Sequence, residues 1–194
     1  MLRTWQAVLL ALGVGASGAQ AAQEVAGVKF EDKASLGGKE LTLNGAGVRT
    51  RFVVKVYAMG LYVAEKKGAA ADLVSAPGAK RAHIVLLRDL GAQQFVDALN
   101  EGLRKNHGEA ELAQLKPQID EFTQNMLSLK EAKKGDVILI DYLPESGTRL
   151  TAAGQPRGKD IVGEELYRAL LRVWLGDKPA DDDLKTGLLG QGAR

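Results

Sequence analysis

Two arginines, Arg49 and Arg51, stand at the mouth of an apolar run, Asn44 to Glu65 (NGAGVRTRFVVKVYAMGLYVAE). An arginine fork donates several charge-assisted hydrogen bonds, so an arginine beside an apolar cavity suits a carboxylate or a phenolate. Tyr57 lies further along the run, and a tyrosine hydroxyl can add another donor. The plainer reading of the same residues is a pair of exposed rim arginines with tyrosines in the core.

Other chemistry finds no support in the residue pattern. His83 and His107 lie in different elements, and the chain has no cysteine, so no zinc-type spacing or disulfide arises. No metal and no cofactor are expected. Gly45 and Gly47 lack the third glycine of a dinucleotide motif and precede a strand instead of a helix. Neither a GxSxG elbow nor a Walker lysine is present. Asp141, inside DVILIDY, is read as an outward-facing residue of a half-exposed strand. The acidic run Asp181 to Asp183 is read as first-turn charge on a helix, where the dipole favours it.

The elements that must position the arginines follow from periodicity. Glu24 to Phe30 and Lys39 to Leu43 read as short strands, joined through the turn signal Gly37-Gly38. Arg51 to Val63 reads as one long strand, rich in β-branched and aromatic residues. On it, Arg51, Val53, Lys55, Tyr57, Met59 and Leu61 would share a face, with Arg49 just before it at a turn or bulge permitted by Gly45 and Gly47. A short helix is expected at Ala70 to Val74 and a compact strand at Ala82 to Leu87. Helices follow over Gly91 to Asn106 and from Pro117 to Leu129. Strands return at Asp136 to Tyr142, Thr148 to Ala152 and Gly158 to Val162, with a hairpin at Pro144 to Gly147. A helix at Gly163 to Leu175 and a last short one from Pro179 complete the chain. Segregated runs of strands and helices argue for α+β, with helices on one face of a mainly antiparallel sheet.

The chain has 194 residues and a formal net charge of +2, with basic and acidic residues interspersed. That is not the footprint of a nucleic-acid binder. Arg3, the apolar stretch Trp5 to Ala16 and the A-x-A site Ala19-Gln20-Ala21 have the layout of a cleavable signal peptide over residues 1–21. The expected mature protein, 22–194, is a single domain of about 170 residues in the periplasm or secreted, with no membrane span after cleavage.

Several blocks together resemble the exported bacterial branch of the chalcone isomerase-like proteins. They are GAGVRTRFVVKVYAMGLYV, Ile84 to Asp89 with Gln93-Gln94-Phe95, Gly135-Asp136 with Asp141-Tyr142, and Arg168 to Gly176. The resemblance spans about residues 23–190. It implies an open-faced β-sandwich: a large antiparallel sheet, a helical layer and a small second sheet. It implies that Arg49 matches the arginine that stabilises the enolate in the plant isomerases. At the positions of their strand threonine, helix tyrosine and helix asparagine stand Tyr57, Phe95 and Gly102. That loss of preorganised donors argues against chalcone cyclisation and leans away from an enzyme.

The fatty-acid-binding relatives hold a carboxylate with this arginine and the tyrosine of a G-(V/L)-Y motif, matching Arg49 and Tyr62. Their odd spacing would put them on opposite faces of a regular strand, so Tyr57 is the substitute partner. The expected function is therefore an exported, non-catalytic binding protein. It would hold an amphipathic carboxylate, such as a fatty acid, in an apolar pocket through Arg49 with Tyr62 or Tyr57. The alternatives are an isomerase- or lyase-type enzyme with Arg49 as oxyanion stabiliser, and a structural protein without ligand.

Overall fold

The computed structural model describes residues 23–192. The expected signal peptide, residues 1–21, lies outside the described residues.

The chain begins with a small hairpin, β1 (Gln23–Val25) and β2 (Val28–Phe30), whose turn residues Ala26 and Gly27 both have positive φ. The single strand expected over Glu24 to Phe30 is thus folded back on itself. Next come β3 (Lys33–Leu36), β4 (Lys39–Arg51) and β5 (Val54–Val63). The long strand expected from Arg51 to Val63 is also corrected. Arg51 pairs with Val54 and the chain reverses through Phe52-Val53, so the Arg51 end belongs to β4.

The remaining elements are α1 (Ala70–Ser75), β6 (Lys80–Leu86), β7 (Leu90–Gly91), α2 (Ala92–Asn106), α3 (Glu109–Leu127), β8 (Glu131–Ala132), β9 (Val137–Leu143), β10 (Gly147–Ala152), β11 (Gln155–Ile161), α4 (Glu164–Leu175) and α5 (Asp182–Leu188). Pro117 does not start a helix. It sits inside α3, at an exposed position, so the amide it lacks removes no donor from the interior.

Seven strands form one antiparallel sheet in the order β11-β10-β9-β6-β5-β4-β3, and β1–β2 and β7–β8 form two-stranded sheets of their own. This is the α+β architecture expected from the sequence. The two sheet faces carry different cores. Tyr57, Met59, Leu61 and Val63 of β5, Ala82, Ile84 and Leu86 of β6 and Ile138 and Ile140 of β9 face the helices α2 to α5. Ala58 and Tyr62 face the other way, with Phe30, Leu36, Leu41 and Leu43. Alternation along each strand produces this division.

Two irregularities reset the alternation on the β4–β5 pair. Leu43 pairs with Tyr62 and Gly45 with Leu61, leaving Asn44 as an extra residue. Its buried amide donates to the Leu188 carbonyl at 2.7 Å, and its side-chain oxygen accepts from the Lys67 amide at 2.8 Å. The bulge thereby ties the end of α5 to the segment after β5. On β5, Val56 is the extra residue between the pairs Arg49–Tyr57 and Thr50–Lys55, so Val56 and Tyr57 both join the helix-side core.

Gly45 and Gly47 serve packing and not a turn. A Cβ on Gly45 would collide with the backbone of Gly187 and Gly190, and one on Gly47 would lie 3.1 Å from the Leu184 side chain and carbonyl. Their bare backbone lets α5 lie directly on β4. Asp181 caps α5 by accepting from the Leu184 amide at 2.8 Å, and its other oxygen accepts from the Thr50 amide at 2.7 Å. The acidic run thus starts the helix, as expected, and also fixes the strand beside Arg49.

Candidate functional site

Arg49 and Tyr57 are directly paired across β4 and β5, so their side chains leave the sheet on the same, helix-facing side. The Arg49 guanidinium carbon lies 5.6 Å from the Tyr57 ring centroid. Behind them, Phe95 of α2 stacks on Tyr57 with centroids 6.2 Å apart. Trp174 of α4 donates its indole N–H to the Tyr57 hydroxyl at 2.7 Å. The hydroxyl therefore accepts from Trp174 and keeps its own proton for another partner. Burial pushes the Tyr57 hydroxyl up from its ordinary value, against the opposing influence of Arg49 and the indole. It is a neutral donor at physiological pH.

Arg49 is half-buried and its Nε is a buried donor with no partner. Among the described residues it makes no ion pair, whereas Arg81, Arg149, Arg168 and Arg172 each meet a carboxylate. A desolvated donor on an uncompensated cation is costly in a ligand-free protein, because its lost water contacts are not replaced.

Three adjoining spaces meet at Arg49. The largest is an open cleft of about 410 Å³ between the β4–β5 hairpin and α2. Phe52, Val54, Val56, Leu90 and Ala98 give it apolar walls; Arg51, Arg88, Gln94, Asp97 and Glu101 add polar ones. A side groove of about 190 Å³ runs past Gly102 toward Lys105 and Lys178. Behind Arg49 is a recess lined by Tyr57, Phe95, Leu99, Val173 and Trp174, of only about 20 Å³. The space behind the arginine is therefore too small for a ligand. Trp174 and Phe95 fill that position, and the usable volume lies in front of Arg49.

Tyr62 does not join this site. It faces the opposite core, stacked on His83 with centroids 6.3 Å apart, and its hydroxyl is pushed up to about 12 by burial, with Glu31 adding to the shift. The five-residue step from Tyr57 decides this, because the only β5 bulge lies at Val56, before both tyrosines. The expected Arg49–Tyr62 pairing is corrected in favour of Arg49–Tyr57.

Phe95 and Gly102 do lie around Arg49. Gly102 is occupied from outside, since a Cβ there would come 2.5 Å from a Val173 methyl; its absence lets α2 and α4 pack closely. Asp141 is not solvent-facing as expected. It is buried and takes two hydrogen bonds from Arg81, at 2.7 and 2.8 Å. His83 is half-buried between Phe30 and Tyr62, a packing position. Trp174, inside the helix expected at Gly163 to Leu175, carries no site signal in the sequence; its indole is the side chain that anchors the Tyr57 hydroxyl.

No group of three or more metal-ligating side chains occurs among the described residues, and none of their helices is long and apolar enough to cross a membrane.

The family model for chalcone isomerase-like proteins matches residues 22–190. The chain belongs to the chalcone isomerase-like family. A solved structure of the same fold is that of a fatty-acid binding protein of Arabidopsis thaliana. It superposes with a TM-score of 0.66 at 18% sequence identity, over 87% of this chain and 96% of that one. That likeness establishes the fold. No match was found among curated proteins. Within a chalcone isomerase-like fold, the Arg49 cleft is where a half-buried cation meets apolar walls, with Tyr57 in the recess behind it.

Proposed function

We propose that this chain is an exported binding protein for a small amphipathic carboxylate, with a fatty acid as the leading candidate. The carboxylate meets the Arg49 guanidinium, and the Tyr57 hydroxyl lies behind it as a second donor. The apolar portion lies along Phe52, Val54, Val56, Leu90 and Ala98 in the outer cleft. The observation that carries this reading is the state of Arg49: half-buried, without a carboxylate partner or a bond to its Nε among the described residues, at the meeting point of three spaces. The cleft volume falls in the lower part of the range of ligand sites, about 300–1,000 Å³. The fatty-acid binding relative in the same fold family supports the choice of ligand class. Export rests on the N-terminal sequence layout.

A tyrosine base facing Arg49 is the enzymatic alternative, and the raised Tyr57 hydroxyl speaks against it, because it stays protonated near neutral pH.

The test compares a fatty acid with the alcohol of the same chain length, by displacement of the fluorescent fatty acid cis-parinaric acid. A charge-assisted hydrogen bond contributes about 1.5–3 kcal/mol, so the acid should bind at least about tenfold more tightly. Equal binding of acid and alcohol would remove Arg49 from the reading.

A further inference from the structure

The turn between β4 and β5 carries a feature that the Arg49 site does not require. Phe52 and Val53 are each 93% exposed, and Val54 beside them is 42% exposed. Phe52 also has φ of +56°. An aromatic side chain enters this left-handed region at a cost, and glycine or asparagine would make the turn without it. Turn geometry therefore does not call for this residue. An apolar tip held out of a compact domain is accounted for by a second environment that covers it.

The charges around the tip indicate which environment. Arg51 and Lys55 flank it on the two strands, both exposed, and Arg88 shares the cleft wall. The facing carboxylates are on α2, and each already has a partner: Glu101 takes a hydrogen bond from Lys105 at 2.6 Å, and Asp97 one from the Gln93 amide at 2.8 Å. An aromatic and a β-branched side chain ringed by cations form an interfacial anchor. The apolar groups enter the acyl boundary while the cations meet anionic headgroups. Phe52, Val54 and Arg51 also line the mouth of the cleft. A lipid acid leaving a bilayer at this tip would reach Arg49 without crossing bulk water.

We infer that the Phe52–Val53 hairpin tip docks this protein on an anionic phospholipid bilayer, with Arg51 and Lys55 on the headgroups, so that its ligand passes between membrane and cleft. Docking stands on the tip alone; passage of the ligand rests on the binding reading given above.

The experiment is co-sedimentation with vesicles of phosphatidylcholine alone and of phosphatidylcholine mixed with phosphatidylglycerol. The wild-type chain, purified from the exported fraction, is compared with Val53→Asp and Lys55→Glu. Neither residue lines the cleft, and both are exposed, so cis-parinaric acid binding in solution and the thermal midpoint should stay at wild-type values. Wild type should bind the mixed vesicles at least about tenfold better than the neutral ones, with added salt weakening it. Val53→Asp should lose about tenfold on mixed vesicles. Lys55→Glu should lose about fivefold or more, consistent with the contribution of one cation near an anionic surface. In Val53→Trp, emission should shift to the blue on mixed vesicles, against the constant signal of buried Trp174.

Failure of wild type to bind mixed vesicles, or undiminished binding by Val53→Asp, overturns the inference. Vesicle binding by a wild-type chain that takes up no cis-parinaric acid keeps the docking and removes the ligand reading. Cis-parinaric acid binding without vesicle binding does the reverse.

Discussion

Arg49 and Tyr57 face one another across β4 and β5, guanidinium carbon 5.6 Å from ring centroid, with Trp174 holding the Tyr57 hydroxyl from behind at 2.7 Å. Three elements thus fix one donor pair: β4 supplies the cation, β5 the hydroxyl and α4 the indole that orients it. Among the described residues the arginine's charge has no carboxylate partner, and the cleft opens in front of it.

Removing the hydroxyl leaves the Trp174 indole N–H buried without an acceptor. Tyr57→Phe should therefore destabilise the fold by about 1–3 kcal/mol, measured by urea denaturation. Trp174→Phe should also destabilise, adding a small cavity to the lost bond. If the Tyr57 hydroxyl donates to the ligand, Tyr57→Phe also weakens fatty-acid binding severalfold. Unchanged stability in both variants would contradict the bond.

The close seating of α5 on β4 depends on glycine. In Gly45→Ala the new methyl meets the backbone of Gly187 and Gly190, which cannot rotate away. Overpacking of this kind costs about 1–3 kcal/mol. Displacing α5 also loosens the Asp181 bond to the Thr50 amide, next to Arg49. Ligand affinity should fall together with the thermal midpoint. A variant as stable as wild type would show that α5 can shift freely.

Lys80 is fully buried over the Tyr142 ring, 5.0 Å from its centroid, and donates to the half-exposed Glu164 carboxylate at 3.0 Å. Burial, opposed by Glu164, lowers the readiness of Lys80 to hold its charge. Glu164→Ala strands that ammonium and should cost about 2–3 kcal/mol, below the ~3–5 of a fully buried pair because Glu164 retains some solvent. Lys80→Met removes the charge while keeping most of the volume and should cost less. Urea midpoints of the two variants in the opposite order would contradict this.

The tyrosines set an alkaline limit. Burial raises the hydroxyls of Tyr57, Tyr62, Tyr142 and Tyr167 above their ordinary value near 10, Tyr62 to about 12. An unfolded chain releases these protons near pH 10 while the fold keeps them. Above pH 10 the unfolded state binds fewer protons, so stability falls as pH rises; below it these groups add no pH dependence. Between pH 10 and 12 Tyr62 accounts for at most about 1.4 kcal/mol per pH unit. The loss in urea midpoint between pH 9 and 11 should be smaller in Tyr62→Phe than in wild type. An equal loss in both would contradict the assignment.

Periodicity carried much of the fold. The apolar stripe of α2 (Phe95, Val96, Leu99, Leu103) and the alternation in β6 and β9 are local properties, and they placed those elements correctly. Phe52-Val53 misled, because β-branched and aromatic residues signal strand and carry no turn chemistry; the reversal is set by the cross-strand pairing of Arg51 with Val54. The bulge at Val56 likewise leaves no local mark, whereas the one at Asn44 lies beside Gly45, where the sequence allows a turn or bulge. The burial of Asp141 depended on Arg81, its cross-strand neighbour on β6, a contact between residues 60 apart that no local pattern shows. Resemblance to the family pointed to Arg49, which lines the cleft, and to Tyr62, which lies on the other face.

Native mass spectrometry of the gently purified protein tests the anion-binding role of Arg49 most directly. Wild type should carry a co-purified lipid acid, and Arg49→Ala, with an unfolding free energy within about 1 kcal/mol of wild type, should emerge empty and fail to reload with added fatty acid. An empty wild type that takes up no added fatty acid, or an Arg49→Ala protein loaded as fully as wild type, would contradict it.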